Sequence, residues 1–296
     1  MKKSFLFLSL LISSAVVSGQ TSYYVNSPDN TKLHVQEYGH GKPVIILAGG
    51  PGLQPTYMEG VWEGLSSKYR CIVLDQRGTG KSILSSVDSA SVNMKKYVED
   101  LEALRKYLKL ESLTLMGHSW GGMLAMEYAA RLPEKTEKLI LLDPGGPTSK
   151  FFAYFGDNIR MRLSDDDKLE EAVMDSMNKP HLKGIWPGYF FDRKRGLITK
   201  FQIEGELFGQ PGISENAVND FVAKENERAR LLGNYKGVAY LIQGRQDPIG
   251  ESTVYEIRDL LPQLQIHFIE KCGHLPWLEN EAQVKEFFEL LDQSMQ

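Results

Sequence analysis

The chain has 296 residues, 42% of them hydrophobic and 24% charged, so one large globular domain or two modest ones can bury a core without disulfides or metals. A net charge of −4 and the absence of a long basic run exclude a phosphate-tracking nucleic-acid surface. Two cysteines without clustered histidines argue against a structural zinc site.

In chain order, Lys2 and Lys3 precede an apolar stretch from Phe5 to Val17, and Val17-Ser18-Gly19 puts small residues after it. This is the pattern of a signal peptide over residues 1–19, with a mature chain beginning near Gln20. The stretch is short for a bilayer span, which weighs against the alternative of an uncleaved anchor. No cysteine follows it, so a lipoprotein anchor is not expected. The segment resembles a bacterial export signal. The expectation is therefore an exported protein, periplasmic or secreted, with no membrane contact after cleavage.

Ser22 to Gly39 alternates around Pro28-Asp29-Asn30 and predicts an antiparallel hairpin. Six short apolar runs follow: Pro43–Gly50, Cys71–Gly78, Leu113–Ser119, Lys138–Gly146, Val238–Asp247 and Gln265–His274. Near-continuous apolar runs suit strands buried on both faces of a parallel sheet. Between Asn93 and Leu110, the residues Tyr97, Leu101, Leu104 and Leu108 form one helical stripe, and a second helical pattern closes the chain. Strand alternating with helix predicts an α/β fold with right-handed crossovers. From Pro147 to about Tyr235 the rhythm breaks into helical stretches rich in aromatics. The expected domains are thus a core of residues 20–146 and 236–296 and a helical cap of residues 147–235. Cys71 and Cys272 fall at opposite ends of the predicted sheet, which predicts two free thiols.

Gly117-His118-Ser119-Trp120-Gly121 sits between a strand pattern and a helix pattern. A Gly-x-Ser-x-Gly sequence there makes a sharp elbow that exposes the serine at a helix N-terminus. The alternative is a helix-capping serine. A serine hydroxyl needs a base, and the base needs an orienting acid. In this arrangement the chain order is serine, acid, histidine. His274, just past the last strand, is the candidate base, and His118 is expected to point away at the elbow. Asp247 is the candidate acid, with Asp143 its rival because it too follows a strand. Asp75 and Arg77 read as a structural turn and ion pair. The expected oxyanion donors are the backbone N–H groups of Trp120 and of Gly50, with Gly49 the alternative in the glycine-rich loop.

With these residues the mature chain resembles the α/β-hydrolase superfamily. The motifs Gly49-Gly50-Pro51-Gly52, Asp75-Gln76-Arg77-Gly78, Gly117–Gly121 and Gly244–Pro248 are most similar to the proline iminopeptidase branch. Ala48 stands where that branch usually has histidine, and His118 where it often has glycine. The resemblance implies an α/β-hydrolase fold, a mostly parallel sheet flanked by helices and capped by a helical insertion. It implies a serine hydrolase that releases N-terminal proline or a small apolar residue. It also implies an acidic cap residue for the substrate amine, with Glu204 the carried-over position and Glu206 its neighbour. A solvated surface glutamate is the other reading of Glu204. No metal or organic cofactor is expected, and the partner is a small peptide or ester. A carboxylesterase or lactonase with the same triad is the alternative activity, and a non-catalytic binding protein on the same scaffold is a third.

Overall fold

The computed structural model describes residues 20–176, 182–199 and 207–296. The predicted signal peptide, Glu204 and Glu206 lie outside the described residues.

The strands are β1 (Thr21–Asn26), β2 (Lys32–Tyr38), β3 (Lys42–Leu47), β4 (Tyr69–Leu74), β5 (Leu113–His118), β6 (Thr136–Leu142), β7 (Val238–Gly244) and β8 (Gln265–Ile269). They form one sheet in the order β1-β2-β4-β3-β5-β6-β7-β8. β1 and β2 are the predicted hairpin, and β2 pairs antiparallel with β4. From β4 to β8 every pairing is parallel. This is the mostly parallel α/β architecture that the apolar runs predict.

The strand period of two splits each run between two cores. Ile45, Leu47, Leu115, Leu139 and Leu141 face one layer. Val44, Ile46, Met116, Ile140 and Leu142, from the same strands, face the other. The first layer is completed by α2 (Met94–Tyr107), α3 (Trp120–Arg131), α8 (Ile213–Ala223), α9 (Glu225–Leu232) and α10 (Glu251–Leu260). The second is covered by α1 (Glu59–Leu65) and α11 (Glu281–Met295). α2 buries Tyr97, Leu101 and Leu104 of its predicted stripe and starts at Asn93, whose side chain accepts the Lys96 N–H. No helix among the described residues is long and apolar enough to cross a membrane.

Between β6 and β7 the chain makes α4 (Phe152–Arg160), α5 (Asp165–Ser176), α6 (Leu182–Ile185) and α7 (Arg193–Thr199) before α8 and α9. Arg228 of α9 is fully buried. It binds Glu127 of α3 and donates to the Pro147 and Phe221 carbonyls. These bonds fasten both ends of the helical segment to the core.

Both cysteines are buried free thiols. Burial pushes Cys71 up to about 12 and Cys272 higher still, so neither is a reactive thiolate. The Asp75–Arg77 reading needs correction in its pairing. Arg77 bonds Asp100 at 2.6 and 2.8 Å and Asp29 at 3.1 Å, while Asp75 pairs with His34 at 2.8 Å. Both stay structural, but their partners come from α2 and from the β1–β2 hairpin.

Candidate active site

Ser119 stands at the junction of β5 and α3 with φ 52° and ψ −115°. Such a conformation is costly for a residue with a Cβ, by roughly 1–3 kcal/mol, and persists only where the surroundings impose it. Here they do. The Ser119 N–H donates to the Leu142 carbonyl at 3.0 Å, and its own carbonyl accepts from Gly122, Met123 and Gly145. The flanking glycines are required by contact. A Cβ on Gly117 would lie 2.2 Å from the Gly121 carbonyl oxygen, and one on Gly121 would lie 2.1 Å from that of Leu47.

His274 follows β8 and is held by its own backbone. Its N–H donates to the Tyr189 carbonyl at 2.7 Å, while Glu279 accepts from Gly273 and Phe191. The helical segment thus fixes the loop that carries the imidazole. His274 Nδ1 lies 2.9 Å from Asp247 Oδ2, and Asp247 Oδ1 accepts the Ile249 N–H at 2.8 Å. Both residues are 3% exposed, so the pair is dry. The two loops approach because Gly244 has no side chain: a Cβ there would lie 2.1 Å from the Gly273 carbonyl oxygen.

Asp143, the other acid weighed from the sequence, is fully buried beside them. One oxygen of Asp143, one of Asp247 and one ring nitrogen of His274 lie within 4.8 Å of one another. A metal needs about 2.0 Å to each ligand, or roughly 3.3 Å between tetrahedral ligands. The 2.9 Å His274–Asp247 contact is a direct hydrogen bond, without room for an ion between the two.

Ser119, His274, Gly50 and Trp120 all line one cavity of about 110 Å³. Gly49 does not line it; its N–H donates to the Tyr57 hydroxyl at 2.5 Å. Of the two candidate glycines, Gly50 therefore faces the space next to Ser119. The cavity walls are apolar and aromatic, with Phe151, Phe155, Trp186 and Tyr189 from the helical segment and Leu53 and Met123 from the core. No carboxylate is among the described lining residues. A larger surface groove, about 750 Å³, lies between α2, α3 and α9. Its charged lining is internally paired, as in Arg131 with Glu127 and Glu227, and it holds no nucleophile.

His118 does not simply point away, as expected from the elbow. Its Nε2 lies 2.9 Å from the His274 carbonyl oxygen and its Nδ1 lies 2.7 Å from the Tyr57 hydroxyl. A carbonyl can only accept, so Nε2 carries the proton and Nδ1 accepts from Tyr57. Burial, reinforced by the neighbouring His274, holds His118 well below its usual value, so the ring is neutral. A continuous chain therefore runs from the Gly49 N–H through Tyr57 and His118 to the backbone of His274. It ties the glycine-rich loop to the histidine loop. Nothing in the local sequence around Tyr57 signals this role, because its partner lies 61 residues away. Glu204, the expected partner of the substrate amine, lies outside the described residues.

The sequence profile of the alpha/beta hydrolase fold family matches residues 42–180. A proline iminopeptidase from Lactobacillus helveticus is 39% identical, aligned over 88% of this chain and 92% of its own. The chain belongs to the α/β-hydrolase family and is proline iminopeptidase-like. It is also similar to a cis-3-alkyl-4-alkyloxetan-2-one decarboxylase from Shewanella oneidensis, at 37% identity over 40% of this chain and 37% of that one. The fold superimposes on a thermophilic esterase from Thermogutta terrifontis with a TM-score of 0.67 at 20% identity, covering 93% of this chain and 99% of the other. The protein is a hydrolase by this kinship.

Proposed function

We propose that this hydrolase is an exported serine aminopeptidase that releases N-terminal proline or another small apolar residue through an acyl-enzyme. The observation that carries the proposal is the strained Ser119 lining one cavity with His274, whose ring is hydrogen-bonded to the buried Asp247 behind it. In the proposed mechanism His274 takes the Ser119 proton as the oxygen attacks the carbonyl carbon. Asp247 holds the imidazole and offsets its charge. The N–H groups of Gly50 and Trp120 receive the oxyanion, each supplying about 3 kcal/mol of transition-state stabilisation. His274 then protonates the leaving amine, and water attacks the acyl-enzyme by the same route in reverse.

The cavity size supports a small acyl residue. An engineered apolar cavity of about 150 Å³ takes a benzene ring. A space of about 110 Å³ suits a pyrrolidine ring or a short branched side chain. In this proposal residues 147–235 act as the cap that closes the space, and Glu204 pairs with the substrate ammonium, which requires a carboxylate when buried. Export follows from the predicted signal peptide of residues 1–19.

A second reading, a carboxylesterase or lactonase with the same three residues, is favoured by one feature. Among the described lining residues no carboxylate is present to hold an amine. Prolyl, alanyl and leucyl arylamides assayed beside short-chain acyl esters separate the two. The proposal expects arylamide turnover, selectively weakened by Glu204→Gln. Ester turnover without any arylamide cleavage overturns the aminopeptidase in favour of the esterase.

A further inference from the structure

Asp143 is a buried group beside the site that the mechanism leaves unused. It is the first residue after β6, which pairs with β7, so it falls beside the loop that carries Asp247. Its backbone is left-handed, with φ 42°. Aspartate tolerates that region better than most side chains, but it remains uncommon. Two bonds hold it there: its N–H donates to the Ile242 carbonyl at 2.9 Å, and its Oδ1 accepts the Gly244 N–H at 2.8 Å. The other oxygen, Oδ2, is buried without a hydrogen-bond partner among the described residues. Asp247 and His274 lie within 4.8 Å.

We propose that Asp143 is a positioning residue and a reserve acid: it hydrogen-bonds Asp247 in the intact protein and takes over as the partner of His274 when Asp247 is lost.

Two carboxylates this close in a dry site do not both ionise. Burial, and next the Asp247 charge, keep Asp143 well above the usual carboxylate range, so the proton rests on Asp143. A carboxylic acid has one O–H to give. Oδ1 is committed to the Gly244 N–H, which leaves Oδ2–H to serve Asp247 and removes the orphan. Asp247 then accepts from Asp143, from Ile249 and from His274, and is fixed on three sides. The remaining charges near the pair are Glu279, which further disfavours a second anion, and Arg162, which is attracted to Asp247 and Glu279. Removing Asp247 takes away both the acceptor and the repelling charge. Asp143 is then free to ionise against the imidazolium.

The tests are Asp143→Asn and Asp143→Leu, each alone and each combined with Asp247→Ala. One readout is kcat on whichever arylamide or ester the wild type turns over. The other needs no turnover: the low-field proton NMR signal of the His274 N–H held against a carboxylate, assigned with His274→Gln. Asparagine keeps one donor and one acceptor, so alone it lowers kcat by less than about tenfold, and leucine lowers it further. Asp247→Ala retains the NMR signal and a measurable rate. Adding Asp143→Asn to Asp247→Ala abolishes the signal and lowers the rate by about tenfold or more again. The proposal is overturned if Asp247→Ala alone loses the signal, or if Asp143→Asn costs no more without Asp247 than with it. The kinetic arm rests on the serine-hydrolase reading. A wild type inactive on every substrate would sink that reading, and the NMR arm would still decide the role of Asp143.

Discussion

Tyr57→Phe removes one oxygen and leaves the ring packed on His118 and Trp277, with centroids at 5.5 and 6.2 Å. Two buried groups lose their partner at once: the Gly49 N–H, at 2.5 Å, and His118 Nδ1, at 2.7 Å. Each unpaired buried polar group costs about 1–3 kcal/mol, so the variant is expected to lose about 2–6 kcal/mol of stability. The kinetic effect follows from the neighbour of Gly49. Gly50 carries a proposed oxyanion donor, and outright loss of such a donor lowers kcat by about 10²–10³-fold. A loop that is loosened rather than deleted should lower kcat by about 10–10²-fold with KM little changed, because the contact strengthens mainly in the transition state. Urea denaturation, compared at constant m value, gives the stability change, and steady-state kinetics gives the split between kcat and KM. Wild-type stability together with wild-type kcat would refute the argument that this chain positions the two loops.

Two further outcomes rest on the same geometry. Gly117→Ala places a Cβ against backbone atoms of Gly121 and Gly122 at 2.2–2.5 Å, where no side chain can yield. It should cost about 3 kcal/mol or more in urea denaturation, the upper end for overpacking, and a loss below 1 kcal/mol would contradict the elbow's steric account. The pH dependence has a defined sign. Burial raises Asp143 above its ordinary 3.8 and Glu279 above its ordinary 4.5, so the folded state holds more protons than the unfolded one in that window. This stabilisation is complete below the unfolded value and is lost as pH rises through the folded value. Thermal melts across pH should show Asp143→Asn gaining on the wild type by up to about 1.4 kcal/mol per pH unit above 3.8. A pH-independent difference would show that Asp143 is not held protonated by the fold.

The architecture is legible in the chain because its signals are local. Each apolar run becomes a strand, and Ser119 between Gly117 and Gly121 marks a turn where strand meets helix with no space for a Cβ. The support of the site is not legible, because its partners are distant. His118 finds its acceptor on His274, 156 residues later, and its donor on Tyr57, 61 residues earlier. Chain order favours Asp247 over Asp143, because its loop lies closer in order to the one that carries His274, although both acids follow adjacent strands. In the structure Asp247 is the acid bonded to His274. Arg77 illustrates the same limit. Its buried charge required a carboxylate, but Asp100 on α2 supplies it rather than the nearby Asp75.

The central claim, that Ser119 is the nucleophile, is tested most directly by intact-protein mass spectrometry after reaction with a fluorophosphonate, which phosphonylates activated serines. The account predicts one adduct, mapped to Ser119 by peptide sequencing, absent in Ser119→Ala and strongly slowed in His274→Ala. An unmodified wild type, or an adduct that persists in Ser119→Ala, would contradict it.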